Sequence, residues 1–124
     1  VSGLEEGIDW RINLRVSKMG GLLRCLDVLQ AAGSRGIRII IGAQVGETSL
    51  LTRAGLTLAM AAGDFLQAQE GGFGTHLLSR DICEPVLMFG AGGRIIDEAA
   101  RLAGQAGFGL ARAAGTDELL SKEP

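Results

Sequence analysis

Between Ile12 and Gln69 three short apolar runs begin near residues 12, 37 and 65, and each ends in a glycine-punctuated turn. The spacing is close to the ~30 residues of a strand-helix-strand unit. That interval restricts the chain to consecutive βα units, with strands running parallel and joined by right-handed crossovers. In the first unit Ile12, Leu14 and Val16 alternate with Asn13, Arg15 and Ser17, the period of two expected of a strand. Lys18 stands where that strand is expected to end. Gly20 and Gly21 then break the chain into an amphipathic helix.

That helix is expected from about Gly21 to Ala32, with Leu22, Leu26 and Leu29 on one face, Leu23 widening it, and Gly33 ending it. The second strand is Ile37 to Ile41, almost continuously apolar, as strands buried on both faces tend to be. A helix from about Ser49 to Ala62 follows, capped by Thr48 or Ser49, with Leu51, Ala54, Leu58 and Ala62 aligned. The third strand is Phe65 to Gln69, followed by the turn Glu70-Gly-Gly-Phe-Gly74. Beyond Leu77 the pattern loosens, and a last helix is expected near Arg94 to Ala103, with Ile95, Ala99 and Leu102 aligned, before a glycine-rich polar tail.

With 124 residues, one domain with one apolar core is expected. A hydrophobic fraction of 47% against 21% charged residues excludes a chain too polar to offset its ordering entropy. The arginines are scattered from Arg11 to Arg112 and the net charge is −2, which argues against a nucleic-acid partner. No apolar stretch approaches the ~20 residues that span a bilayer, so no membrane association and a cytoplasmic location are expected. Cys25 and Cys83 lack the spacing of a zinc site and are expected to be free thiols. The start at Val1, with Glu5 and Glu6 close behind, is read as an end cut from a longer chain.

Only Lys18 and Lys122 are lysines, and the second lies in the terminal tail. At a strand end Lys18 is either an ordinary surface lysine or, by the alternation with Ile12, Leu14 and Val16, a partly buried amine suited to acid-base work. His76, the sole histidine, has no cluster of ligands around it and is given no role.

Ile-Asn-Leu-Arg-Val-Ser-Lys18-Met-Gly-Gly-Leu, then Ile-Ile-Ile-Gly-Ala-Gln-Val-Gly-Glu47-Thr-Ser, then Glu70-Gly-Gly-Phe-Gly-Thr together resemble the C-terminal barrel segment of the enolase superfamily. The match is to its mandelate racemase and muconate lactonizing enzyme group, over roughly residues 8 to 95. The resemblance implies a partial (β/α) TIM-type barrel: about three βα units resembling strands six to eight, a C-terminal helix and a tail, over residues 1 to 124. It also implies a parent enzyme that uses a divalent cation, usually magnesium, while a base removes the proton α to a carboxylate. Racemases, epimerases, cycloisomerases and acid-sugar dehydratases share this step. By the same resemblance Lys18 would be an acid, base or cationic stabiliser. Gln44, Val45 and Glu47 would line the pocket after the seventh strand, with Glu70 and Gly71 after the eighth. A carboxylate such as Glu47 is also favoured ahead of a helix with no substrate at all, and Glu70 also reads as a turn residue.

The family's metal-binding carboxylates and its second catalytic lysine belong to strands that this sequence does not contain. The chain alone is therefore expected to be inactive, with the magnesium ligands elsewhere. A homo-oligomer, or association with the missing part of the barrel, would cover the unpaired sheet edges and an apolar lumen face. Two alternatives stand beside this reading: a non-catalytic, self-associating βα module, and a nucleotide-binding α/β domain that uses Gly90 to Gly93. The latter run begins a dinucleotide fingerprint but has Ile95 at the third glycine. The loop after Ile41 is not a phosphate-binding loop, because its spacing is one residue short and Glu47 stands where the lysine is required.

Overall fold

The computed structural model describes residues 3, 5, 7–72, 74–95 and 104–120. These form a mixed α/β structure in two compact units, Val1–Gln44 with Ala54–Glu70, and Val45–Arg53 with Gly71–Pro124.

The first unit holds β1 (Arg11–Leu14), α1 (Val16–Met19), α2 (Leu22–Gly33), β2 (Arg38–Ile41) and β3 (Leu66–Gln69), together with the later turns of α3 (Ser49–Ala62). The three strands are parallel, in the order β1-β2-β3. Ile12 lies beside Ile39 and Leu14 beside Ile41, so one face of the β1-β2 pair carries branched apolar side chains throughout. Against it pack Cys25, Leu29 and Ala32 of α2 and Leu58, Ala59 and Ala62 of α3. This cluster is the larger set of buried apolar side chains among the described residues.

The opposite face mixes polar and apolar positions. Arg11 sits beside Arg38, and Asn13 beside Ile40, which in turn neighbours Ala68. The face expected to be an apolar lumen is mixed here, because Ile12 and Leu14 point to the helices and strand alternation sends Arg11 and Asn13 the other way, beside Arg38, Ile40 and Ala68.

The first strand is shorter than its alternation suggests. It stops at Leu14, and Val16–Met19 turn helically before Gly20 closes the turn in the left-handed conformation with φ 79°. Glycine reaches that region without the cost borne by other residues. Helix α2 ends with Gly33 as its last residue, and the positive φ of the turn that follows falls at Gly36. The second and third strands and helix α3 lie within one or two residues of expectation, with the Thr48 carbonyl accepting the Leu51 and Thr52 N–H groups.

The second unit is built on a different basis. It contains the first turn of α3, α4 (Gly74–Leu77), β4 (Cys83–Glu84), β5 (Ala111–Arg112) and α5 (Thr116–Leu120). Cys83, Leu87 and Met88 are buried, but so are Glu47, Ser49, Thr52 and Thr116. Ser49 is the centre: its N–H and hydroxyl both donate to Asp81 Oδ2, at 2.8 and 2.7 Å, while its Oγ accepts the Leu87 N–H at 2.7 Å. Asp81 Oδ1 accepts the Cys83 N–H at 3.0 Å. A carboxylate thus satisfies donors at the start of α3 and the start of β4 together. Strand β4 pairs antiparallel with β5. The helix expected from Arg94 to Ala103 lies outside the described residues from 96 onward, and Arg94 itself is extended.

Candidate functional site

Parallel strands present their carboxyl ends together, and the groups that follow each strand converge there. After β1 come Arg15, Ser17 and Lys18; after β2 come Gly42, Ala43 and Gln44; after β3 comes Glu70. The ladder continues one residue past β2 and β3, since the Gly42 N–H donates to the Leu14 carbonyl at 2.9 Å and the Glu70 N–H to the Ile41 carbonyl at 2.8 Å.

Glu70 is the node of this cluster. Its Oε1 accepts the Asn13 side-chain amide at 2.7 Å, and its Oε2 accepts the Ala43 N–H at 3.0 Å. Arg15 Nη2 lies 3.8 Å from Oε2. The Ala43 N–H, then the Asn13 amide and more weakly the Arg15 charge, hold the Glu70 carboxyl below its ordinary value, against a small opposing effect of burial. Glu70 is therefore a fixed carboxylate and not a proton donor at neutral pH. Beside it, the Gln44 side-chain amide donates to Ser17 Oγ at 3.1 Å.

Gly42 makes this convergence sterically feasible. A Cβ there would collide with Asn13 Oδ1 and come within 2.7 Å of Arg15 Cγ and 2.9 Å of its Nε. Asn13 and Arg15 therefore lie directly over the Gly42 backbone. Sequence reading singled out Gln44 and Glu70 but passed over Asn13, Arg15 and Gly42. Their signal was present as polar positions alternating on β1 and a glycine just after β2.

Lys18 follows β1 as expected, but on the helical turn α1, where it is exposed; its side chain has no hydrogen-bond or ion-pair partner among the described residues. It does not continue the alternation of Ile12 and Leu14, because the strand has already ended. Val45, Glu47 and Gly71 belong to the second unit. Val45 is 81% exposed and Glu47 is buried. Gly71 lies against Phe89, and a Cβ at Gly71 would come within 2.7 Å of that ring. Gly74 is equally confined, by the Glu47 carbonyl and Met88.

Phe89 and Ile95 bridge antiparallel, with the Gly90 N–H donating to the Arg94 carbonyl at 2.7 Å, so Gly90 to Gly93 form a tight reversal. Gly92 and Gly93 both take positive φ there. A dinucleotide fingerprint instead leads from a strand into a helix.

Two concavities lie apart from the strand ends. One, of about 380 Å³, is walled in the first unit by Leu26, Leu29, Ala61 and Phe65. The other, of about 370 Å³, is walled in the second by Leu50, Ile82, Phe108 and Leu110. The polar groups on the second are already engaged, Arg112 with Asp117 and Thr116 Oγ1 with the Ala113 carbonyl. Neither offers the convergent, partly unsatisfied donors found after β1.

No group of three histidine, cysteine, aspartate or glutamate side chains among the described residues is arranged to hold a metal ion. The one carboxylate at the strand ends already accepts two hydrogen bonds, so the residues present do not fit a magnesium ion. Both cysteines are free and buried, and desolvation raises their thiols above the ordinary value, with the Asp81 charge adding to the effect at Cys83. No helix among the described residues is long and apolar enough to cross a membrane. No family model, curated protein or solved structure matches the chain.

Proposed function

We propose that the chain is the strand-six-to-eight segment of an enolase-superfamily barrel of the mandelate racemase and muconate lactonizing type. In the complete enzyme Lys18 acts at the α-carbon of a small carboxylate substrate. The observation that supports this reading is a sheet of three parallel strands joined by two crossover helices, whose polar residues gather at the strand carboxyl ends, with Glu70 tied to Asn13 and Ala43. That is the end of a barrel at which chemistry is done. Lys18 is exposed past β1, with no hydrogen-bond or ion-pair partner for its amine among the described residues. The magnesium ligands belong to the remainder of the barrel.

The test is complementation. The chain is combined with the capping domain and first five barrel strands of an enolase-superfamily protein, and exchange of the α-proton of 2-hydroxy carboxylates is followed by NMR in deuterated water. Exchange should need both pieces, and Lys18→Ala should lower it by about 10²–10⁴-fold, the usual contribution of an acid or base. Exchange unchanged by Lys18→Ala would remove the catalytic assignment.

A second reading, a self-associating βα module, is favoured by one observation. Among the described residues β1 and β3 each pair on one side only, and an unpaired edge is a template for another strand.

A further inference from the structure

We propose that Arg11 and Arg38, side by side at the amino ends of β1 and β2, form a binding site for a small dianion of the phosphate-monoester class, with Asp9 as the carboxylate that the ligand displaces. This is the end of the sheet remote from Lys18 and Glu70, and the site does not rest on the barrel reading. Arg11 and Arg38 are register partners on the face turned away from the helices, and both are exposed. Like charges directly opposite each other on neighbouring strands oppose pairing, so two guanidiniums in this register favour an anion between them. Asp9 meets only half of that demand. Arg11 Nη2 donates to Asp9 Oδ2 at 2.7 Å, whereas Arg38 has no hydrogen-bond or ion-pair partner among the described residues. The hydrogen bond and charge of Arg11, and more weakly the charge of Arg38, hold the Asp9 carboxyl below its ordinary value against a small opposing effect of burial. Asp9 is thus close enough to feel both arginines while bonding to one. It precedes β1 and its side chain is 69% exposed, so little packing keeps it in place.

Those charges select the ligand. An external monocarboxylate offers Arg11 only what Asp9 already supplies at the high effective concentration of a group tethered two residues away. A phosphate monoester brings nearly two charges and three acceptor oxygens, enough to accept from both guanidiniums at once, and arginine forks match such oxygens in paired bonds. It replaces Asp9 on Arg11 and gains Arg38 as well. Two guanidinium charges then meet two phosphate charges, and the Asp9 carboxylate returns to solvent.

Glycerol 3-phosphate is titrated into the chain at constant ionic strength, and the Nε–H resonances of Arg11 and Arg38 are followed by 1H–15N NMR, with inorganic phosphate and acetate titrated in parallel. Saturable shifts at both arginines are expected from the ester and not from acetate. Arg38→Gln should weaken binding by about tenfold or more, the weight of a charge-assisted hydrogen bond, while amide dispersion shows that the variant is folded. Asp9→Asn should tighten binding about fivefold, the effect of removing one like charge about 4 Å away in water. Inorganic phosphate binding as tightly as the ester would show that the dianion alone is read, and a preference for the ester that its organic part is read too; both support the site. Shifts that do not saturate, acetate binding as tightly as the ester, or undiminished binding in Arg38→Gln would overturn it. Weaker binding in Asp9→Asn would overturn the displacement of Asp9.

Discussion

Gly42 carries more of the strand-end geometry than any charged residue there. Its backbone conformation is open to other residues, since it is not among the glycines with positive φ. What it supplies is the missing Cβ over which Asn13 and Arg15 lie. Gly42→Ala should therefore displace both side chains, unlink Asn13 from Glu70 and cost about 1–3 kcal/mol, as overpacking does. Chemical denaturation measures the loss, and the Asn13 side-chain amide resonance reports the unlinking. From the sequence this glycine was visible only as a turn residue, because nothing local indicates which side chains of another strand will cross it. Lys18 shows the reverse case. The residue was legible, but its environment was not, since two extra alternating positions, Val16 and Ser17, concealed the helical turn into which the strand breaks.

The strands and long helices were legible because each is written in one period. Ile39 and Ile41 are fully buried, as are Leu58 and Cys25 on the facing helices. Which face of the sheet those helices cover was not legible, and it leaves a mixed face, with Arg11, Asn13 and Arg38 beside Ile40 and Ala68, where an apolar lumen was expected. The carboxyl end of this sheet should also respond to acid. Glu70 has a lowered pKa in the folded state, so its stabilising contribution is fully present above the pKa of an unfolded glutamate and is lost as pH falls through the folded value. With the side chain 41% exposed, solvent screens much of the effect. Urea midpoints measured between neutral and acid pH should fall on the acid side, less so in Asn13→Ala, where a site-resolved NMR titration of Glu70 should shift upward. An unchanged Glu70 titration in Asn13→Ala would show that the amide does not hold the carboxylate.

Over the whole chain, the two units differ in what holds them. The first has an apolar core under a parallel sheet, and the second gathers around Ser49 and Asp81. Length and composition gave no sign of that division, because hydrophobic fraction does not report where polar groups are buried. The strand β3, Leu-Gln-Ala-Gln, carries no charge on its unpaired side, whereas β1 has Arg11 with Asp9 beside it. Unprotected edges of that kind associate. Sedimentation should therefore show concentration-dependent association of the chain, shifted towards monomer by Ala68→Lys. A monomer at all concentrations would count against the module reading.

The link between Asn13, Ala43 and Glu70 joins one residue from each of three successive chain segments. A slip of any strand by a single residue would point Asn13 to the other face or carry the acceptor out of reach. The side-chain amide of Asn13 is thus a built-in gauge of alignment. Followed during refolding, that one resonance would time the moment at which all three strands have settled against one another.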